Sequence, residues 1–455
     1  MPGFFGKAEN LFLLMGLIFG LAFSVTIPPF QVMDEEAHFY RAYQLGQGRI
    51  VPERSGNSLG GELPRSLPTL RQPFERLGFH AERKASLQDL KWAWTVPLDP
   101  KDRAFVAFPT TARYPPLPYL GGAIAAGLGD LGEMRPMAIL HLGRLFHLFI
   151  WIAVIYAALR LTPVYRWLFL ALALLPSSVY LASGVSADGL SNGLCFLFSA
   201  YLFRLAFGSE DRVGRNQWLI FTVLALLLTA AKPAYVLLSL AFPLIPPRKY
   251  ASPKWPAIFA LTAGLAIGLQ LLWLGGDGRV AVALRGEATM SYAIQKQFVL
   301  DHPIVFLRLV VDSFLDYGSG ILAGFVGRFG WTEYGVPSWM LVVIPLGLIA
   351  IALGDGDEVE MGAGQKVWAA LITAGLFLVL CVSQFLTWTP VGIPIIQGLQ
   401  GRYFLALAPL GFLVFHNRRW AWSAAAERRM PWVILVFSGV PLALSIFRTV
   451  TRYYF

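Results

Sequence analysis

Apolar runs of roughly 15 to 23 residues recur along this chain, and Pro, Gly and charged residues gather in the segments between them. At about 1.5 Å per residue, runs of that length make helices that cross the hydrocarbon of a bilayer. They lie near 8–28, 139–160, 164–182, 189–207, 217–231, 233–247, 255–274, 337–354, 366–388, 402–416 and 431–448. Two further runs, near 115–129 and 304–327, can be read either way.

The placement of Lys and Arg chooses between the readings, because short cytoplasmic loops collect them. If neither ambiguous run crosses, the N-terminal side holds Lys7, Arg160, Arg166, Arg204, Arg248, Lys366, Arg418 and Arg428, among others. The short loops opposite keep little beyond Lys232, Arg402 and the tail residues Arg448 and Arg452. The pattern therefore predicts an all-α polytopic membrane protein of about eleven spans, with a cytoplasmic N-terminus and an external C-terminus. Both ambiguous runs are expected to be re-entrant or interfacial on the outer face. Two long outer segments result, 29–136, which carries interfacial helices, and 275–337. With no internal repeat and no separate soluble domain, 1–455 reads as one unit.

Composition agrees with that class. Of 455 residues 56% are hydrophobic and only 14% charged, far more apolar side chain than a globular core of this length needs. The net charge of +10 is scattered between apolar runs and forms no basic block, so no nucleic-acid partner is expected; the bilayer is the partner the charges address. Cys195 and Cys381 both fall inside predicted spans, which leaves no disulfide or thiolate–metal framework. Lys7 ahead of an apolar core, with Ala22-Phe23-Ser24 behind it, has the outline of a signal peptide. The many spans that follow favour an uncleaved first helix.

Candidate chemistry concentrates where the first span ends. Pro28 and Pro29 stop that helix, and from about Met33 the spacing suits a new one on which Asp34, His38 and Arg41 share a face. Acidic residues at a helix start are also favoured by the macrodipole, so Asp34, Glu35 and Glu36 have a purely structural alternative. On the same predicted side lie Asp188, in Ser-Ala-Asp-Gly, Lys232, in Ala-Lys-Pro-Ala-Tyr, and Arg402. Asp188 can simply cap a helix, and the two cations can snorkel. Together they are harder to dismiss, because a charge at membrane depth costs about 2.5 to 3.5 kcal/mol and is tolerated mainly beside a partner. Such a set suits transfer from a phosphate-linked lipid. Lys232 and Arg402 would hold a phosphate, and Asp34 or Glu35 would take a proton from an acceptor hydroxyl. Asp188 would serve as a second carboxylate or, with Asp34, as a metal ligand, magnesium or manganese being the cations in question.

These residues resemble a family. Asp-Glu at the exit of the first helix, a long first outer loop, Tyr114-Pro-Pro-Leu before a short apolar helix and a later Ser-x-Asp look like the GT-C superfamily of membrane glycosyltransferases. Pro-Pro-Phe-Gln-x-x-Asp-Glu-x-x-His-x-x-Arg-Ala, together with Gln400-Gly401-Arg402-Tyr403-Phe404, more closely resembles a bacterial predicted-membrane-protein family of unknown function. The resemblance implies a GT-C-like bundle in the bacterial inner membrane with its active site facing the periplasm or exterior. It also implies inverting transfer of a sugar from a polyprenyl-phosphate donor to an extracytoplasmic glycan or lipid acceptor. The catalytic carboxylate carries over to Asp34, with Glu35 its close competitor; His38, Arg41, Gln400, Arg402 and Tyr403 are the candidate substrate-binding residues beside it. Tyr114 stands where the aminoarabinose transferases of that superfamily place a phosphate-binding Lys, and Arg113 is one residue off. A flippase of lipid-linked saccharides, or a polysaccharide polymerase or ligase, are the alternatives.

Overall fold

The computed structural model describes residues 6–56, 58–209, 212–275, 291–356 and 359–455, so residues 276–290 of the expected second outer segment lie outside the described residues. Six of the expected spans are helices long and apolar enough to cross a membrane: Ala8–Thr26, Pro136–Leu161, Ala187–Phe207, Trp255–Gly275, Ala363–Trp388 and Met430–Tyr454. Four shorter apolar helices, Arg215–Thr229, Pro233–Leu244, Met340–Gly354 and Gly401–Phe415, match four more.

The expected span at 164–182 is not one helix. It is split into Arg166–Ala173 and Pro176–Ala182, because Pro176 has no N–H to continue the ladder and begins a new helix instead. Every residue of both pieces is buried apart from Arg166, which places the segment at the centre of the bundle. A run that is apolar all round suits that position.

The two ambiguous runs differ from each other. Near 115–129 the chain makes a short 3₁₀ turn, Leu117–Tyr119, and then Leu120–Leu131, about 18 Å long and too short to span. That helix packs between Glu35–Gly46 and Pro136–Leu161. The run near 304–327, expected to be re-entrant or interfacial, is instead a single helix, Pro303–Val326, whose length and composition would let it cross. Its contacts are distinctive. Near its start Phe306 meets Phe385 (5.3 Å between rings), and near its end Gly324 meets Gly401. Both ends thus pack on segments flanking the 389–400 loop, and Ser313 Oγ between them accepts from Ile396 N of that loop at 2.9 Å.

Residues 29–136 form a layer of their own over one end of the bundle. Strands β1 (Glu53–Ser55), β2 (Ser58–Pro64) and β3 (Arg103–Ala107) pair antiparallel in that order, with Gly60 opposite Ala107. Phe39, Leu63, Leu67, Phe74 and Phe108 bury together there with Ile139, Leu140 and Val185 from the bundle, so layer and bundle share one core. The last helix ends against this layer. Lys84 Nζ donates to the carbonyls of Thr451 (3.1 Å) and Arg452 (3.0 Å), and Ala85 N to that of Tyr453 (2.7 Å).

Candidate functional site

Three consecutive carboxylates at the start of Glu35–Gly46 take three different directions. Glu35 is fully buried and meets Arg144 in a parallel fork, Nε to Oε1 at 2.8 Å and Nη2 to Oε2 at 2.6 Å. Its oxygens also accept from Phe30 N and Val185 N, at 2.9 and 3.0 Å. Arg144 directs further N–H groups to the carbonyls of Ser24, Ile27 and Pro28, at the C-terminal end of the first helix. Glu36 pairs with Arg71, and burial raises its carboxyl above the usual range.

Asp34 stands apart. It occupies the N-cap position with φ 59°, a left-handed conformation that Asp tolerates better than most residues, and its side chain makes no capping bond. The carboxylate is turned outward and is 37% exposed. Arg402 Nη2 reaches its Oδ2 at 3.4 Å.

Arg402 joins Asp34 to the second acid. Its Nε lies 3.3 Å from Asp188 Oδ2, close enough for an ion pair although the N–H is not aligned for a hydrogen bond. Lys232 Nζ donates to Asp188 Oδ1. The Asp188 side chain can do this because Ser186 caps the helix in its stead, its hydroxyl accepting from Asp188 N at 3.1 Å. The ring of Tyr403 lies 4.8 Å from Lys232 Nζ and 5.5 Å from the Arg402 guanidinium, and the Tyr114 ring lies 5.8 Å from Lys232. Residues from four distant parts of the sequence thus meet as two carboxylates and two cations.

His38 sits directly behind this cluster, buried, with Nδ1 2.9 Å from the Tyr119 hydroxyl. Burial lowers its pKa to about 4, outweighing the nearby Asp34 carboxylate, which raises it, so the ring is neutral at about pH 7. Arg41 is not brought to the cluster. It is buried, and its guanidinium donates to Gln44 Oε1 (2.6 Å) and to the carbonyls of Ile50 (2.8 Å) and Tyr114 (3.4 Å), supporting the Tyr114 backbone from behind. The Arg113 carbonyl accepts from the Trp273 indole at 3.1 Å, which ties the proline tract to the end of Trp255–Gly275. Gln400 lines a cavity beside Arg402.

Residues 17–411 match the model of a family described as a predicted membrane protein, DUF2142. The chain belongs to that family. Every member of the cluster falls inside the matched segment, whereas the final helix, Met430–Tyr454, of this DUF2142 protein lies beyond it. No curated protein and no solved structure matches the chain.

The cavity, of about 320 Å³, opens between Pro303–Val326, Pro176–Ala182, the 396–402 segment and the hairpin of Arg328–Phe329 with Tyr334–Gly335. Arg402 stands on its wall next to Asp34. The close approach is set at Gly401, where a Cβ would run into the Ile321 carbonyl, so only glycine brings the loop this near the helix. Tyr180 pins the opposite side, donating to the Gln31 carbonyl (2.7 Å) and accepting from Gly330 N (3.0 Å).

Among the described residues no three His, Cys, Asp or Glu side chains gather as a metal site. The donor set itself suits a metal poorly, since Lys232 and Arg402 already take both oxygens of Asp188, and Arg402 separates Asp188 from Asp34. Arg144, Tyr119 and Tyr180 were not singled out from the sequence. For Arg144 a signal existed, an arginine inside an apolar run.

Proposed function

We propose that this protein is a membrane glycosyltransferase of GT-C type, moving a sugar from a polyprenyl-phosphate donor to an extracytoplasmic glycan or lipid acceptor. The observation that carries this reading is the contrast between Asp34 and Glu35. One carboxylate is held open beside a cavity by a strained backbone and a single long contact from a cation, while its neighbour is enclosed and fully hydrogen-bonded.

In this reading Asp34 is the general base. It accepts the proton of the acceptor hydroxyl as that oxygen attacks the anomeric carbon, the bond from that carbon to the phosphate oxygen breaks, and the lipid phosphate leaves with the electron pair. Arg402 sits where it can steady the carboxylate before attack. Asp188 holds Arg402 and Lys232 in place, and the rings of Tyr403 and Tyr114 lie beside Lys232. Neutral His38 and Tyr119 back the site without adding charge. The protein would act in the bacterial inner membrane with this face outward.

A flippase would need charges or broken helices along a path near the bilayer midplane. Here the charged cluster gathers at the end of the bundle under the 29–136 layer, which favours transfer. The test is transfer of label from a panel of synthetic polyprenyl-phosphate sugars to extracted envelope glycan, comparing wild type with Asp34→Asn. Transfer by wild type alone supports the reading. No transfer from any donor, with saccharide-lipid movement across vesicles that survives Asp34→Asn, overturns it.

A further inference from the structure

The cluster around Asp188 has no uncompensated positive charge. Two carboxylates, Asp34 and Asp188, face two cations, Lys232 and Arg402, and every one of the four is engaged with another. An anionic substrate brought beside Asp34 would meet a site that is already neutral, with a carboxylate at its front. Such a substrate needs a further cation on the cavity wall.

We infer that Arg328, on the hairpin that lines the same cavity as Arg402, is the anion-binding residue for a phosphate carried on a lipid; this rests on the phosphate-linked substrate proposed above. Arg328 is exposed, lines the same cavity as Arg402, and among the described residues pairs with no carboxylate. Its Nε donates to the Thr332 carbonyl at 2.7 Å, a bond that closes its own hairpin and orients the guanidinium while leaving the two terminal nitrogens for a ligand. Gly320 leaves the adjoining helix wall bare, and a Cβ there would lie 3.1 Å from Arg328 Nη1, close enough to make the end of that side chain shift by a few tenths of an ångström.

The surroundings match a phosphate-sugar headgroup on an apolar tail. Gln397, Gln400, Thr332 and Tyr317 supply neutral donors and acceptors around the cavity. The helix that forms one wall, Pro303–Val326, leaves Leu307, Val311 and Leu315 largely exposed, an apolar surface along which a lipid chain can lie. The hairpin is in turn fixed from outside the family-matched segment. Arg452 Nη2 pairs with Glu333 Oε1 at 2.9 Å, and within the matched segment Phe79 N donates to Glu333 Oε2 at 2.5 Å.

The test is titration of the purified full-length protein in detergent, by native mass spectrometry, with a polyprenyl monophosphate, the matching polyprenol, inorganic phosphate and phosphatidylglycerol. Wild type should bind the polyprenyl phosphate in preference to the other three. Arg328→Gln should weaken that binding by about tenfold, with Arg328→Lys in between and Gly320→Ala giving a smaller loss, at unchanged melting midpoint. Equal binding of the polyprenol, competition by inorganic phosphate at matched concentration, equal binding of phosphatidylglycerol, or wild-type affinity in both Arg328→Gln and Gly320→Ala would overturn the assignment. Sugar transfer by wild type alongside unchanged binding in those two variants would remove Arg328 and leave the transferase standing. Binding that depends on Arg328, with no transfer from any donor, would keep the anion site and sink the transferase.

Discussion

Glu35 and Arg144, 109 positions apart, form a bidentate ion pair with both side chains fully buried. It is a tertiary lock. Through the same guanidinium, which also holds the Pro28 carbonyl, the end of the first span and the start of Glu35–Gly46 are fastened to Pro136–Leu161.

Removing one partner leaves the other charge buried and unpaired. Glu35→Ala or Arg144→Ala should therefore destabilise the fold by about 3–5 kcal/mol, read as a large drop in melting midpoint in detergent. A midpoint indistinguishable from that of wild type would show that the lock is not structural.

Asp34→Asn should leave the midpoint nearly unchanged and abolish sugar transfer, because Asn tolerates the left-handed backbone and keeps the shape while losing the base. Asp34→Ala should lower stability by up to about 1 kcal/mol more than Asp34→Asn, since Asn visits the left-handed region at φ 59° more readily than alanine does. Full transfer by Asp34→Asn together with none by a folded Glu35→Gln would move the base to Glu35.

Asp188→Asn should leave Lys232 and Arg402 facing each other without the counter-charge between them and lower stability. Adding Lys232→Met to Asp188→Asn should recover part of the loss. The non-additivity of the two changes, measured in a double-mutant cycle, reports their coupling, and strictly additive effects would contradict the pairing.

Acid should destabilise the protein through His38. Its folded pKa is lowered to about 4, below the unfolded value of 6.5, so between those values the unfolded chain binds more protons and stability falls as pH falls. The contribution is complete above about pH 6.5 and lost progressively toward about pH 4. His38→Gln should flatten the midpoint-against-pH curve over that window; a curve as steep as that of wild type would assign the loss to other groups.

Chelation should not slow transfer, since both oxygens of Asp188 are engaged by protein cations. Loss of transfer on adding a chelator, restored by magnesium or manganese, would show that a metal displaces one of those cations during turnover.

The sequence by itself determined the membrane class, most of the apolar helices and which charged residues stand out from apolar sequence. Those features follow from the length of apolar runs and from unpaired charge, both of which are local quantities. It also marked Asp34, Asp188, Lys232 and Arg402 one at a time, since each interrupts apolar sequence. Only the tertiary structure decided how they pair, and only it separated Asp34 from Glu35. Adjacent residues with the same chemistry look alike in sequence. A positive φ at Asp34 and an arginine arriving from Pro136–Leu161 give them opposite surroundings. The helix Pro303–Val326 shows the same limit, because apolar length says that a segment can cross a bilayer, while its contacts with Phe385 and Gly401 say where it rests. Arg328 was invisible for a related reason: an exposed arginine on a glycine-rich hairpin gains meaning only from the cavity it shares with a distant loop.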